Sequence, residues 1–332
     1  MPFLEVVDLK KYFPVQKGMV EQLLSRKLTY VKAVDGVTFS VDKGDIFGLV
    51  GESGSGKTTT GRLTVGLLKP TSGRVIIGGV DVPSLNKEEL RRFRRRMQII
   101  FQDPTASLNP KMKVGDAVAD ALRLLTDADA ETAKKRVLEM FEYVGLTPAG
   151  EIYSRYPRNL SGGQKQRVVI ARALVTRPEY VVADEPVAMV DVSVRAQILD
   201  VMKEMHERLG LTYLFITHDL AVAKYLCSRI AIMYLGRLFE TGNVEDIFGL
   251  PLHPYTQALL AAVPVPDPTV RREKKIPRGE IPNAINPPSG CRFHPRCPYA
   301  TEICSREEPQ LRQVDTSKAS HLVACHWAEK FL

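Results

Sequence analysis

Gly51-Glu52-Ser53-Gly54-Ser55-Gly56-Lys57-Thr58 follows the apolar run Ile46-Phe47-Gly48-Leu49-Val50. This G-x-x-x-x-G-K-T spacing, between a strand-forming and a helix-forming segment, decides the fold. Glycines at 51, 54 and 56 let successive backbone N–H groups turn inward around phosphate oxygens, and a helix starting near Lys57 adds its positive N-terminal end. Lys57 then reaches the β- and γ-phosphates, the Thr58 hydroxyl takes Mg²⁺, and Ser53 and Thr59 complete the cradle. A Gly/Ser-rich turn matching by chance would lack the strand and helix on either side. A nucleoside triphosphate site is expected, but kinases, GTPases, motors and pumps all share such a loop.

The chain around the loop has 332 residues, 44% of them hydrophobic, enough for one large α/β domain and a smaller module. No run of about 18 apolar residues occurs, and the start Met1-Pro2-Phe3-Leu4-Glu5 has no secretory pattern, so a soluble cytosolic chain is expected. A net charge of +8 suits nucleic acid, an anionic membrane surface or plain solubility. Its densest run, Arg91-Arg92-Phe93-Arg94-Arg95-Arg96, reads as a solvated helix face ahead of a phosphate or lipid contact.

Strand-like segments recur at Val75–Ile77, Gln98–Phe101, Tyr180–Ala183, Tyr213–Ile216 and Arg229–Met233. They alternate with helical patterns at Glu131–Val144, Gly163–Val175 and Val194–Leu209, which predicts a layered, largely parallel sheet. Such a sheet places its ligand at the carboxyl ends of its strands, where the phosphate loop falls. After about Leu250 the composition changes. Residues 251–288 are proline-rich, carry Arg271-Arg272-Glu273-Lys274-Lys275, and precede four of the five cysteines, so a linker and a small appended module are expected.

One hydrophobic strand ends in Asp184-Glu185. Two adjacent acids at a buried strand end are costly unless a cation or a proton relieves them. Asp184 reads as the Mg²⁺-side carboxylate and Glu185 as the base that polarises water.

Between loop and acids stand Gln102 and Leu160-Ser161-Gly162-Gly163-Gln164; after them come Asp191 and His218. In this order the motifs resemble one family, the ATP-binding subunits of ABC transporters, over roughly residues 1 to 250; the L-S-G-G-Q run is the discriminating element. The resemblance implies a P-loop NTPase of the ABC type, a layered α/β core with an inserted helical subdomain at about 103–175. It implies that Ser161 and Gly163 meet the γ-phosphate of ATP bound to an opposing subunit, with Gly162 and Gln164 in the same nucleotide-binding run, so that hydrolysis requires a head-to-tail dimer. Bottom-up, Ser161 opens a long helix whose N-terminal N–H groups suit a phosphate. The resemblance further implies that Gln102 touches Mg²⁺ and the attacking water, that His218 contacts the γ-phosphate, and that Asp191 crosses the dimer. Phe13 is the implied adenine-stacking residue, with Tyr12 the alternative and simple strand packing a third reading. Where the family usually shows Ser/Thr-Ala-Leu-Asp, this chain has Ala188-Met189-Val190-Asp191, which loses the small hydroxyl residue.

Cys291, Cys297, Cys304 and Cys325 are spaced C-x5-C-x6-C-x20-C. In a cytosolic chain a disulfide framework is not expected, and four thiolates suit Zn²⁺ or a [4Fe-4S] cluster, with free thiols as the plain alternative. His253-Pro254-Tyr255-Thr256 and the segment Pro288–Pro298 resemble the C-terminal extension of the oligopeptide/dipeptide importer branch, some of whose members bind an iron–sulfur cluster there. That resemblance favours the cluster, in a structural or regulatory role. Cys227, in an apolar helical stretch, reads as core.

The resemblance implies a prokaryotic importer of oligopeptides or dipeptides, with oligosaccharides and nickel complexes as alternative cargo. Its implied partners are a second ATP-binding subunit, two integral membrane permease subunits and an external solute-binding protein, with the chain peripheral on the cytoplasmic face of the plasma (inner) membrane. No nucleic acid is expected. The competing classes are a soluble ABC ATPase acting on nucleic acid or ribosomes and a redox-sensing regulatory module.

Overall fold

The computed structural model describes residues 2–15, 29–263, 279–280, 282–314 and 320–332, and the charged run at 271–275 lies outside them. The described chain forms two compact units. One comprises Val41–Ile46 and Ser84–Ile216, the other Pro2–Ser40, Phe47–Pro83 and Thr217–Leu332.

The second unit carries the phosphate loop. Strands β1 (Leu4–Pro14), β2 (Tyr30–Val41), β4 (Ser72–Ile77) and β5 (Val80–Asp81) form one sheet in the order β2-β1-β4-β5. β3 (Ile46–Val50) is buried at every position, as a parallel strand covered on both faces must be. It pairs in parallel with β9 (Arg229–Tyr234), which turns back antiparallel into β10 (Arg237–Asn243). β12 (Leu322–Val323) pairs with β10 and β11 (Arg312–Gln313) with β12. The helices of this unit are α1 (Lys57–Thr64), α9 (Leu220–Leu226), α10 (Val244–Gly249), α11 (Pro254–Ala262) and α12 (Glu302–Arg306).

The expectation of a largely parallel sheet is therefore too simple. Two-residue turns impose antiparallel pairing because a parallel neighbour needs a crossover of a dozen or so residues. Gly78-Gly79, with φ of 54° and 83°, closes β4 on β5, and Leu235-Gly236, at 42° and 83°, closes β9 on β10.

The stretch after Leu250 is not a simple linker at its start. Leu252 and Tyr255 are fully buried, and Leu252, Val323 and Ala328 form an apolar cluster that Cys325 and Phe331 flank. The C-terminal segment thus closes a small core on the stretch around Leu252, next to the pairing of β12 with β10.

The first unit contains β6 (Met97–Ile100), β7 (Tyr180–Asp184) and β8 (Thr212–Thr217), paired in parallel. Helix α2 (Lys87–Phe93) precedes β6, and α3 (Pro104–Ser107), α4 (Val114–Leu125), α5 (Ala130–Tyr143), α6 (Ala149–Tyr153) and α7 (Gly162–Leu174) lie between β6 and β7 in the chain. α8 (Val192–Leu209) joins β7 to β8. The starts follow from capping: Asp129 accepts from Thr132 N at 2.7 Å, and Asn86 and Glu89 form a capping box. The basic run is only partly a solvated face. Arg96 reaches both carboxylate oxygens of Glu179, at 2.6 and 3.2 Å. Among the described residues no helix is long and apolar enough to cross a membrane.

Candidate nucleotide site and cysteine cavity

The phosphate loop is shaped by two steric constraints. A Cβ on Gly51 would stand 2.1 Å from Met233 O, and one on Gly56, whose φ is 107°, would stand 2.2 Å from Ala33 O. Only glycine lets the loop lie this close to β9 and β2. Lys57, 4% exposed, opens α1 and donates from Nζ to Gly51 O at 2.7 Å, to Glu52 O at 2.8 Å and to Ser55 Oγ at 3.4 Å. Ser53 and Gly54 are exposed, and Thr58 and Thr59 half-buried. The helix start carries no side-chain cap, and the N-terminal end of a helix suits a phosphate.

Glu52 is held from several directions. Its N–H donates to Tyr255 Oη at 2.9 Å, and its carboxylate accepts from Arg296 at 2.9 and 3.3 Å. Tyr255 lies on α11 and Arg296 directly before Cys297. Burial opposes the Arg296 charge, but hydrogen bonds to Glu52 and Tyr234 outweigh it and raise its pKa. Sequence reasoning missed Glu52, Tyr255 and Arg296, although it quoted the segments that contain them.

Phe13 lies on β1, half-buried, with Lys11 Nζ 5.1 Å from its ring centroid. The Tyr12 hydroxyl is committed to Asp35, and burial together with that contact pushes its pKa up to about 12. Asp35 also binds Arg292. Burial pulls its pKa up, but the Tyr12 and Arg292 hydrogen bonds prevail and hold it below the usual 3.8. His218 is exposed just after β8.

In the other unit, Asp184 ends β7 at 2% exposure and Glu185 follows in a left-handed conformation, φ 46°. That backbone region is costly for a glutamate and is held here by Glu185 N donating to Ile216 O at 2.9 Å. Gln102, after β6, donates from Nε2 to Glu185 Oε2 at 3.1 Å. The structure thus brings these two sequence candidates together.

Ser161 caps α7. Its hydroxyl accepts from Gln164 N at 3.3 Å, while its own N–H donates to Gln164 Oε1 at 3.1 Å. Gly162 faces open space, whereas a Cβ on Gly163 would meet Val194 Cγ1 at 2.6 Å. Asp191 is exposed at the start of α8, flanked by Met189 at 60% and Val192 at 79% exposure.

Cys291, Cys297, Cys304 and Cys325 line one cavity of about 20 Å³, together with His253 and Trp327. Burial pushes the Cys291 thiol up to about 12; the Phe293 N–H opposes this, and the three neighbouring cysteines add to it. Burial raises Cys297 and takes Cys325 up to about 11, opposed by the N–H groups of Tyr299 and Trp327 respectively. The backbone N–H two positions on thus opposes the effect of burial at three of the four sulfurs. His253 Nδ1 accepts from Tyr255 N at 3.0 Å, and its Nε2 is buried without a hydrogen-bond partner. Burial lowers the His253 pKa to about 3, so the ring is neutral. Among the described residues no three His, Cys, Asp or Glu side chains stand close enough to hold a metal ion. Cys227 is core: it is buried, and its Sγ lies 2.9 Å from where a Cβ on Gly48 would be.

Comparison with known proteins matches residues 34–188 to the family described as ABC transporter and residues 239–304 to the oligopeptide/dipeptide transporter C-terminal region. The chain is 45% identical to the oligopeptide transport ATP-binding protein AppF of Bacillus subtilis, over 97% of this chain and 96% of that one. It is 46% identical to the dipeptide transport ATP-binding protein DppF of Haemophilus influenzae, over 98% and 96%. Among solved structures, the ATP-binding cassette MJ0796, a dimer in a post-hydrolysis state bound to ADP and Pi, is 28% identical. It has a TM-score of 0.63 and covers 73% of this chain and 98% of its own.

Proposed function

This chain belongs to the ATP-binding subunits of ABC transporters, in the oligopeptide/dipeptide branch, and on that premise we propose that it hydrolyses ATP to drive peptide import through separate membrane subunits. The observation that carries the reading is the hydrogen bond from Gln102 Nε2 to Glu185 Oε2 at 3.1 Å, beside the buried Asp184. An amide and a carboxylate set side by side can address the same water, the amide orienting it and the carboxylate taking its proton. The water oxygen then bonds to the γ-phosphorus as the bridge to the β-phosphate breaks, leaving ADP and phosphate.

By motif position Lys57 neutralises the β- and γ-phosphates, Phe13 stacks on adenine, and His218 contacts the γ-phosphate. Thr58, Gln102 and Asp184 are the residues that by motif position would hold Mg²⁺, which when bound would offset the charge on the phosphate oxygens. Residues 1–250 carry this cassette and 251–332 the extension.

Ser161, Gly163 and Asp191 complete the site of a second ATP-binding subunit. Support comes from the exposed start of α7 and from Met189 and Val192, apolar side chains left in solvent beside Asp191. The pair docks on two permease subunits at the cytoplasmic face of the membrane, with an external binding protein delivering cargo.

The cysteine cavity is assigned to a [4Fe-4S] cluster over Zn²⁺. Support comes from four sulfurs on one cavity, backbone N–H groups that favour the thiolate form of three of them, and the spare Nε2 of His253, which suits a sulfur acceptor. The four cysteines would have to draw together to ligate it, since among the described residues no three candidate ligands are grouped to hold a metal.

Glu185→Gln should retain MgATP binding, lose hydrolysis by about a hundredfold or more, and accumulate a closed dimer on gel filtration. Near-normal hydrolysis would exclude Glu185 as the base. ATP turnover stimulated by peptide in the liposome-reconstituted transporter tests the cargo.

A further inference from the structure

Glu52 occupies a variable position of the phosphate loop, yet every polar group it has is engaged. Its carbonyl accepts from Lys57 Nζ at 2.8 Å and from Ser55 N at 3.2 Å. Its N–H is taken by Tyr255 Oη at 2.9 Å, and its carboxylate by both terminal nitrogens of Arg296. The side that holds Lys57 is loop; the side that holds Glu52 is the C-terminal segment.

Arg296 is itself fixed. Its side chain is 9% exposed, its Nη1 also reaches Tyr234 Oη at 3.2 Å, and its backbone lies in a turn where Cys297 N donates to His294 O at 3.3 Å and His294 N to Cys291 O at 2.9 Å. The guanidinium stands over the rings of Tyr234 and Phe293, with centroids 5.8 Å away in both cases. Tyr255 packs in the same aromatic group, 4.7 Å from Tyr234 and 5.4 Å from Phe293. A bidentate guanidinium–carboxylate pair with little solvent access fixes the carboxylate in direction as well as distance.

We propose that Arg296 is a positioning residue for the nucleotide: with Tyr255 it clamps Glu52, sets the loop that presents Lys57 to phosphate, and makes ATP affinity depend on the order of the cysteine segment. The proposal rests on the nucleotide role of Lys57 and not on any metal in the cavity. By linkage, nucleotide binding stabilises the cysteine segment by the same free energy with which that segment favours nucleotide.

The test is equilibrium binding of MgATP and steady-state hydrolysis in the full-length chain, with thermal melting alongside. Glu52→Gln and Arg296→Gln should each raise the Kd and KM for MgATP roughly tenfold with kcat changed far less, and the double variant should be no worse than the poorer single one. The exchange Glu52→Arg with Arg296→Glu should recover part of the loss. Losses that add in the double variant, or a wild-type Kd in either single variant, overturn the proposal. Tyr255→Phe removes one oxygen from the clamp and should raise the Kd about threefold even if Arg296→Gln fails to fold; an unchanged Kd there overturns the proposal as well. Lys57→Ala tests the underlying nucleotide reading separately: retained affinity in that variant removes the premise, whereas lost affinity there with wild-type affinity in the others removes only the clamp.

Discussion

Gln102 donates to Glu185 Oε2 at 3.1 Å, and Glu185 holds its carboxylate there from a left-handed backbone with φ of 46°. The strain sits at the residue proposed to present a carboxylate to water, one position after the buried Asp184.

That gives the first prediction. Gln102→Glu places two carboxylates within hydrogen-bond reach, and like charges this close raise the pKa at which the pair gives up its second proton. The acid limb of the kcat–pH profile should move up by about one unit or more, with roughly tenfold slower hydrolysis at neutral pH. Gln102→Ala should slow hydrolysis without moving the limb. Identical acid limbs in the two variants would refute the coupling.

A second prediction concerns a pair no motif marks. Glu240 on β10 is fully buried; it accepts from Leu252 N at 2.7 Å and His253 N at 3.0 Å, and its Oε1 lies 2.7 Å from His321 Nε2. Glu240→Ala strands these groups away from water and should cost about 3 kcal/mol or more. Glu240→Gln, which keeps one acceptor, should cost less. Urea unfolding of the full chain measures both, and equal stabilities for wild type and Glu240→Ala would contradict the assignment.

What the sequence reveals and conceals follows from distance along the chain. The phosphate loop, the Asp184-Glu185 strand end and the start of α7 near Ser161 are local patterns of strand, turn and cap, and their elements lie within a residue or two of expectation. Glu52 meets Tyr255 and Arg296 across 203 and 244 residues, so no spacing rule could pair them. The antiparallel strands escaped for a related reason. β1, β2 and β10 owe their places to partners and turns, and the period of apolar residues says nothing about strand direction. The cysteines were found by spacing, but the N–H groups facing their sulfurs become visible only in the fold.

A third prediction follows from Asp35, nearly buried on β2 and bound to both Arg292 and Tyr12. Its folded-state pKa lies below the ordinary 3.8, so the stability it contributes is complete above that value and disappears as pH falls through the folded pKa. Asp35→Asn should lower unfolding free energy by about 3 kcal/mol near pH 7. The gap between variant and wild type should persist down to about pH 4 and close below it. Urea midpoints measured across this range decide the matter, and a gap that widens on acidification would reverse the sign argued here.

The final prediction concerns the cysteine cavity. The backbone N–H groups of Phe293, Tyr299 and Trp327 oppose the rise that burial imposes on three of the thiols and so favour the thiolates that a metal takes. The sulfur and imidazole nitrogen that line the cavity, from the four cysteines and from His253, His294 and His326, suit a soft metal better than the hard cations that take oxygen ligands. Anaerobically purified full-length chain should therefore be brown, with iron and acid-labile sulfide in equal amounts near four per chain. Cys297→Ser and Cys304→Ser should each lose most of the colour, whereas Cys227→Ser, changed outside the cavity, should keep it. Colourless protein with about one zinc per chain would replace the cluster with a tetrahedral thiolate site. Metal-free protein whose thiols all react freely with alkylating reagent would remove both.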